Sequence, residues 1–389
     1  MCIRDSPNIQ KQENINVRKG ENIMHALKRF GTAFGGYKMM ENYPVPECGP
    51  DDIILEIKAA AICGADMKHW GVDNGYDDTN ITPDQQQSVR GHEFAGEIVK
   101  VGENVKDWHI GQRVVSDNSA HVCGVCPACE QGDFLCCEHK VNLGLDNNTW
   151  GGGFSKYCKV PGEILAIHKH AIWEIPEGIK YEEACVLDPI CNAYKAVAQQ
   201  SHLIPGQDVV VFGTGPLGLF SVQVAKLMGA VNIVMVGLDD DVKVRFGVAK
   251  ELGATHCVNG SKEDVVARCT EICGRDNLGL VIECSGANIA LKQAIEMTRP
   301  NAEIVRVGMG FKPLEFSIND ITAWNKSIIG HMAYDSTSWR NCIRLLQSGQ
   351  IKVQPMITHR LGLSQWQEGF DKMAKKEAIK VIFHYDYED

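Results

Sequence analysis

The sequence predicts an α/β protein of two domains, a β-rich part followed by a doubly wound parallel sheet. Three observations carry this. The hexapeptide GTGPLG, Gly213 to Gly218, lies between the apolar run Val209-Val210-Val211-Phe212 and a helical pattern from Leu219 to Met228. From about Tyr181 onward, helix and strand patterns alternate, which implies parallel strands joined by right-handed crossovers. Ahead of that point, short strand patterns are punctuated by glycine and proline, the rhythm of β structure.

The bulk properties set limits. A chain of 389 residues is long enough for two cores, and its 44% hydrophobic and 23% charged residues are ordinary for a globular protein. The net charge of -10 argues against a nucleic-acid partner and fits a small substrate that needs no basic groove. No apolar run approaches the ~20 residues of a membrane span, and the first residues lack the apolar centre of a secretion signal. Sixteen cysteines are many, but their spacing suits metal binding better than a disulfide framework, and the expected compartment is a reducing cytoplasm.

Along the chain, residues 1–23 are polar and aperiodic and read as a disordered or non-native leader, with native translation starting at Met24. Strands are expected at His25–Lys28, Asp52–Ala60, Glu97–Val101 and Arg113–Val115, and further β-type stretches at Gly151–Val160 and Ile164–Ile175. Between them, Ser119–Lys140 is loop-like and dense in cysteine. A helix is expected over Glu182–Gln199, then the strand and helix that flank GTGPLG. There follow strand Ile233–Val236, helix Val242–Leu252, a short strand near Cys257, and helix Lys262–Ile272. Strand Leu280–Glu283, helix Ile289–Met297, strand Glu303–Val307, helix Ser338–Leu346 and strand Ala378–Phe383 complete the series.

Strand, glycine turn and helix together form the context in which Gly-x-Gly-x-x-Gly binds a dinucleotide. Gly213 makes the tight turn and Gly215 admits a pyrophosphate. Gly218 lets helix and strand pack closely, and Pro216 and Leu217 open the helix whose N-terminus faces the phosphates.

Cys123, Cys126, Cys129 and Cys137 form C-x2-C-x2-C-x7-C, four thiolates from one loop that can close a structural zinc site; Cys136 competes with Cys137 for the fourth place. A second set is dispersed: Cys63 in ICGAD, His92 and Glu93 in GHEFAG, and Asp188 in LDPICNA. A thiolate, an imidazole and a carboxylate leave zinc an open position, the composition of a catalytic site. Taken singly, Cys63 reads as a buried small residue, His92 as a satisfied loop histidine, and Glu93 and Asp188 as solvated or capping acids.

Taken together, ICGAD, GHEFAGEIVKVG, the four-cysteine loop, LDPICNA, GTGPLG and KVQPMITHRLGL resemble a family. From about Met24 onward the chain is similar to the zinc-dependent medium-chain dehydrogenases/reductases, in their sorbitol, threonine and erythritol dehydrogenase branch. The resemblance implies a GroES-like β-rich catalytic domain from residues 24–187 and 331–389, around a Rossmann dinucleotide-binding domain from 188–330. It implies two zinc ions per chain: a catalytic one held by Cys63 and His92, with Glu93 and Asp188 beside it, and a structural one on the cysteine loop. It also implies NAD or NADP, a small-molecule alcohol substrate and a homodimer or homotetramer. In the expected chemistry, zinc acidifies the substrate hydroxyl and the carbinol hydride passes to nicotinamide.

Three departures from the family pattern bear on function. Ala65 stands where relatives carry a serine or threonine that starts a proton relay, leaving Asp66, His69 or water to take the proton. Gly237 stands where an acid would bind the ribose 2′-hydroxyl, which tilts the reading to NADP; Asp239 to Asp241 follow at once and pull towards NAD, so both stay open. Ala333 stands where sorbitol-type relatives have an arginine, leaving the pocket open, with Tyr334, Trp70 and Lys68 as candidate lining. The leading reading is oxidation of a secondary hydroxyl of a polyol or sugar alcohol. Threonine oxidation and a non-catalytic zinc- and nucleotide-binding protein are the rivals. A zinc-free quinone reductase would lack the ligands that are present.

Overall fold

The protein is described by a computed structural model covering residues 23–29, 36–67, 70, 88–146, 149–310 and 312–388. The expected leader falls on residues outside that set, apart from Ile23, which opens the first strand, Ile23–Arg29.

Six strands form one all-parallel sheet. In chain order they are Val209–Phe212, Ile233–Gly237, His256–Asn259, Leu280–Glu283, Glu303–Arg306 and Ser327–Gly330. In space the third lies beside the second, then the first, fourth, fifth and sixth. The order therefore reverses at Val209–Phe212, and ligands of such sheets bind in the crevice beyond the carboxyl ends of the strands at that reversal. The strand Val209–Phe212 is buried at every position, as a central parallel strand covered on both faces must be.

The second large sheet combines distant parts of the chain. Strand Ile53–Ala61 pairs antiparallel with Glu93–Val101, with Tyr157–Val160, and with Lys380–His384. Ile357–Gly362 flanks the last of these, and Arg113–Ser116 and Ile172–Glu174 extend the other side. The register sets Ala61 opposite both Glu93 and Ile382. Residues just beyond Ala61, at the start of Glu93–Val101, and at the start of Lys380–His384 are thereby brought to one place.

Several elements differ from expectation for local reasons. The expected helix over 182–199 is three pieces: Tyr181–Ala184, Leu187–Tyr194 and a π-helical turn, Lys195–Gln200. Pro189, without an N–H to give, falls in the first turn of the middle piece. The stretch 164–175 begins as a helix, Gly162–Ile167, entered from Pro161, and only Ile172–Glu174 is strand. Expected helix 242–252 is split into Asp239–Val242 and Arg245–Leu252. Strands Tyr37–Pro44 and Ile357–Gly362 and helix Trp366–Ala374 follow no pattern read from the sequence.

Among the described residues no helix is long and apolar enough to cross a membrane, and the described cysteines are free thiols.

Arg360 clamps the helix Tyr181–Ala184 to strand Ile357–Gly362: its Nε and Nη2 donate to the two oxygens of Glu182 at 2.7 and 3.1 Å. That bidentate bond draws the Glu182 carboxyl from its ordinary 4.5 down to about 2. The pair's stabilisation is therefore complete above pH 4.5 and is lost as pH falls towards about 2. Glu182→Gln is expected to lower the urea midpoint between pH 5 and 7 and to flatten its fall over that window.

Candidate active site

Cys63 follows the end of strand Ile53–Ala61, and its backbone N–H donates to Asp66 Oδ2 at 3.0 Å. Asp66 sits in a single turn, Gly64–Met67, and is fully buried. Gly91, at φ +88, turns the backbone into the next strand, and a methyl there would strike the Phe154 ring at 2.5 Å. His92 and Glu93 follow. Ligand atoms of Cys63, His92 and Glu93 all lie within 4.8 Å of one another.

The donor set fits zinc. It offers one sulfur, one nitrogen and one oxygen, and three protein ligands leave a fourth tetrahedral position open. Glu93 Oε2 is engaged by Lys380, while Oε1 is buried without a hydrogen-bond partner. A cation between these groups would satisfy that oxygen. Burial pushes the Cys63 thiol up and the Glu93 carboxyl well up, which is the cost of holding two acids in one dry place. The Nδ1 of His92 lies 4.0 Å from Asp66 Oδ1, so a carboxylate stands behind the imidazole, as it does behind many metal-binding histidines.

Lys380 was not singled out from the sequence. It is 1% exposed, donates to Ile62 O at 3.1 Å, and pairs with Glu93. Burial lowers its pKa, but Glu93 and Cys63 outweigh that and leave it raised, so the ammonium stays charged. The available signal was a lysine amid the apolar residues of AIKVIF.

Asp188 is placed differently from the other three. It lines the same cavity but stands outside the ligand group. Its Oδ2 accepts from Tyr334 Oη at 2.7 Å and Asn118 Nδ2 at 3.2 Å, and its Oδ1 accepts from Asn192 Nδ2 at 3.1 Å. Three neutral donors thus hold a half-buried carboxylate in the pocket wall. Burial pushes its pKa up.

Asn192 and His331 also line the wall, and neither was read from the sequence. Asn192 Oδ1 meets His331 Nε2 at 3.1 Å, and His331 Nδ1 meets Gln200 Oε1 at 2.6 Å. Burial lowers the His331 pKa to about 4, so the ring is neutral at physiological pH. Ala65 and Ala333 both face the cavity, and Ala333 holds φ +49. Trp70 belongs to an aromatic cluster with Trp366 and Phe370 and donates to Asp371, so it packs the β-rich part. Lys68 and His69 lie outside the described residues.

The cavity, of about 400 Å³, runs from Cys63, Glu93 and Asp188 to Gly215, Pro216, Leu217 and Gly218. At the glycine turn, Gly213 has φ +95, and a methyl on Gly218 would lie 1.8 Å from Gly213 O. No atom approaches the position of a Gly215 methyl, so the backbone there is open to a ligand. Glu283 supports the opposite lip: its Oε1 accepts from Ser285 N, Ser285 Oγ and Gly286 N at 2.7, 2.5 and 2.9 Å. At Gly237, a Cβ would press on the Thr214 and Phe246 side chains at 2.6 and 2.7 Å, so an acid there would require both to shift. Asp239 is turned to Asn259 and Lys262, at 2.7 and 3.2 Å.

The four-cysteine group also comes together, with Cys123, Cys126, Cys129 and Cys137 within 4.8 Å. The Val125 backbone N–H draws Cys123 down to about 7, while burial pushes Cys129 up to about 12. Clustered thiols cannot all ionise together unless a cation joins them. Cys137 Sγ accepts from the N–H groups of Cys123 and His139 at 3.4 Å each, whereas Cys136 is exposed and outside the group. Metal analysis is expected to find two zinc ions per chain in Cys136→Ser and one in Cys137→Ser, the latter melting several degrees lower.

Comparison with known proteins agrees with this geometry. The chain matches the family model "Alcohol dehydrogenase GroES-like domain" over residues 49–170 and "Zinc-binding dehydrogenase" over 216–348. It is 77% identical to the zinc-type alcohol dehydrogenase-like protein YdjL of Escherichia coli (strain K12), over 94% of this chain and 100% of that protein. It is 30% identical to a sorbitol dehydrogenase of Halalkalibacterium halodurans (92% and 98% covered) and 31% identical to an L-threonine 3-dehydrogenase of Rhizobium rhizogenes (94% and 99%). Among solved structures, 2R,3R-butanediol dehydrogenase from Bacillus subtilis superposes with a TM-score of 0.79 at 29% identity, covering 93% of this chain and all of that one. A zinc-binding dehydrogenase from Sinorhizobium meliloti bound to NADP (0.79) and an alcohol dehydrogenase from E. coli CFT073 complexed with NADH (0.80) each share 26% identity. Each covers 94% of this chain and all of its own. The chain therefore belongs to the zinc-dependent medium-chain dehydrogenase/reductase family, as a zinc-binding oxidoreductase.

Proposed function

We propose that the protein oxidises a secondary hydroxyl of a polyol or sugar alcohol, passing the hydride to NAD or NADP. The observation that carries this is one cavity with Cys63 and Glu93 at one end and the glycine turn at the other. Its size falls in the range of small-molecule sites. Zinc held by Cys63, His92 and Glu93 would supply Lewis acidity, easing loss of the substrate's hydroxyl proton near neutral pH. The protein's part is to orient and to exclude water. Lys380 holds Glu93 by one oxygen, and Tyr334, Asn118 and Asn192 hold Asp188 in the wall. Gly215 and Ser285 bound the opposite end, where the cofactor would lie.

Threonine oxidation is the second reading, favoured by Asp188-Pro189 and by the threonine dehydrogenase relative. The wall weighs against it. Among the described lining residues Lys380 is the one fixed cation, and it is committed to Glu93. His331 is neutral, so the carboxylate of an amino acid finds no free positive partner there.

The test is reduction of NAD and NADP, followed at 340 nm, with polyols, simple secondary alcohols and threonine. Turnover of a polyol at least about tenfold above threonine in kcat/KM, lost in Cys63→Ala, is the expected result. Turnover of threonine alone would overturn the polyol assignment.

We further propose that two copies associate through the edge of the parallel sheet. Among the described residues, strand Ser327–Gly330 is bonded on one side only; Trp324 before it and Ile328 within it are 52% and 38% exposed. An open apolar edge invites another strand. Sedimentation should give at least twice the chain mass, falling to one chain in Ile328→Lys; a wild-type monomer would remove the proposal.

A further inference from the structure

The turn between strands Arg113–Ser116 and Ser119–His121 is fixed with unusual thoroughness. Its second residue, Asn118, has φ +61, a left-handed conformation that few residues other than glycine and asparagine adopt. That conformation aims Asn118 Nδ2 at Asp188 Oδ2 and at Tyr334 Oη, at 3.2 and 3.1 Å. It also presents the Asp117 carbonyl to Tyr334 Oη at 2.9 Å. Three of the contacts that hold the pocket wall thus come from one turn.

The Asp117 carboxylate does not face the pocket. Its Oδ1 accepts from Ser119 N at 2.9 Å, bracing the turn from within. Its Oδ2 meets His168 Nε2 at 2.6 Å, and both side chains are 5% exposed. A carboxylate buried this deeply persists only when its oxygens are satisfied. His168 ends the helix Gly162–Ile167, with its N–H on Ile164 O. Its ring lies against Phe134, tilted by 33° with centroids 4.3 Å apart, in the loop of the four clustered cysteines. Lys195, from the π-helical turn after Asn192, reaches the same loop at Asp133, 2.7 Å away.

We propose that His168 is a positioning residue for the reaction: paired with Asp117, it holds the Asn118 turn that fixes Asp188 and Tyr334 in the pocket wall. The cysteine loop then acts on the active site through Phe134 and His168 as well as by folding its own lobe. The inference rests on the reading that alcohol is oxidised beside Asp188.

His168→Phe keeps an aromatic ring against Phe134 and removes the bond to Asp117; His168→Gln restores a donor. With the alcohol that the wild type turns over best, His168→Phe is expected to lower kcat about tenfold, and His168→Gln to recover to within about threefold. Zinc content and the NADH dissociation constant should stay unchanged in both. In an Asp188→Asn background the further loss from His168→Phe should shrink to less than about twofold, because both changes strike one linkage. Full activity in His168→Phe, or losses that simply multiply, would overturn the proposal. Should His168→Phe not fold, Asn118→Gly, suited to φ +61, should show the same loss, and its full activity would be equally fatal. If the wild type oxidises no alcohol, the functional reading fails separately. The positioning is then judged by a crystal structure of His168→Gln or His168→Phe: an Asn118–Asp188 separation beyond about 3.5 Å in the phenylalanine variant alone upholds it, and an unmoved turn overturns it.

Discussion

The register of three antiparallel strands is the constraint on which the site depends. Because Ala61 pairs with both Glu93 and Ile382, Cys63, the His92-Glu93 pair and the buried Lys380 arrive together. A one-residue slip in any of the pairings would turn the side chains to the other face. Glu93 and Lys380 are 287 residues apart, so their meeting requires the whole parallel-sheet unit to fold within the loop that separates them. Two buried charges are costly unless matched, and here each is the other's main compensation. The same pairing leaves one oxygen of Glu93 without a partner, so the ion pair is not closed and an oxygen remains that a cation could use.

The cofactor end obeys a separate logic. The reversal of strand order at Val209–Phe212 opens a crevice, and the glycine turn fills it with backbone rather than side chains. Gly213, Gly215 and Gly218 each serve by lacking a Cβ, but for three different reasons: conformation, access and close packing. Gly237 belongs with them. An acid there, where the ribose is expected, would require Thr214 and Phe246 to shift, and Asp239 is occupied with Asn259 and Lys262 instead.

Local signals were the legible ones. GTGPLG, the cysteine loop and the alternating helices and strands lie in contiguous residues whose spacing carries the physics, and the parallel sheet follows from them. Cys63, His92 and Glu93 could be named only through resemblance, because nothing in their separate surroundings shows that they converge. Lys380, Asn192 and His331 escaped notice since each is ordinary in its own segment and gains meaning only from a partner far along the chain. Asn118 and His168 are the extreme case, because a left-handed backbone and a buried histidine-carboxylate pair leave no mark in residue order. Helix boundaries between 181 and 200 were lost to a proline inside a turn and to a π-helical turn that no periodicity distinguishes.

The contacts of His331 have a mechanical meaning. The chain leaves the β-rich part near Leu187 and returns near Gly330, and the two crossings are stitched side by side by His331 to Asn192 and Gln200, and by Gln200 to Gly330. Were the two sheets to rotate against each other, the axis would run along these stitched segments. Asn192 and His331 lie on that axis and also line the cavity. Rotation would therefore swing the glycine turn towards or away from the metal site while the polar wall between them hardly moves.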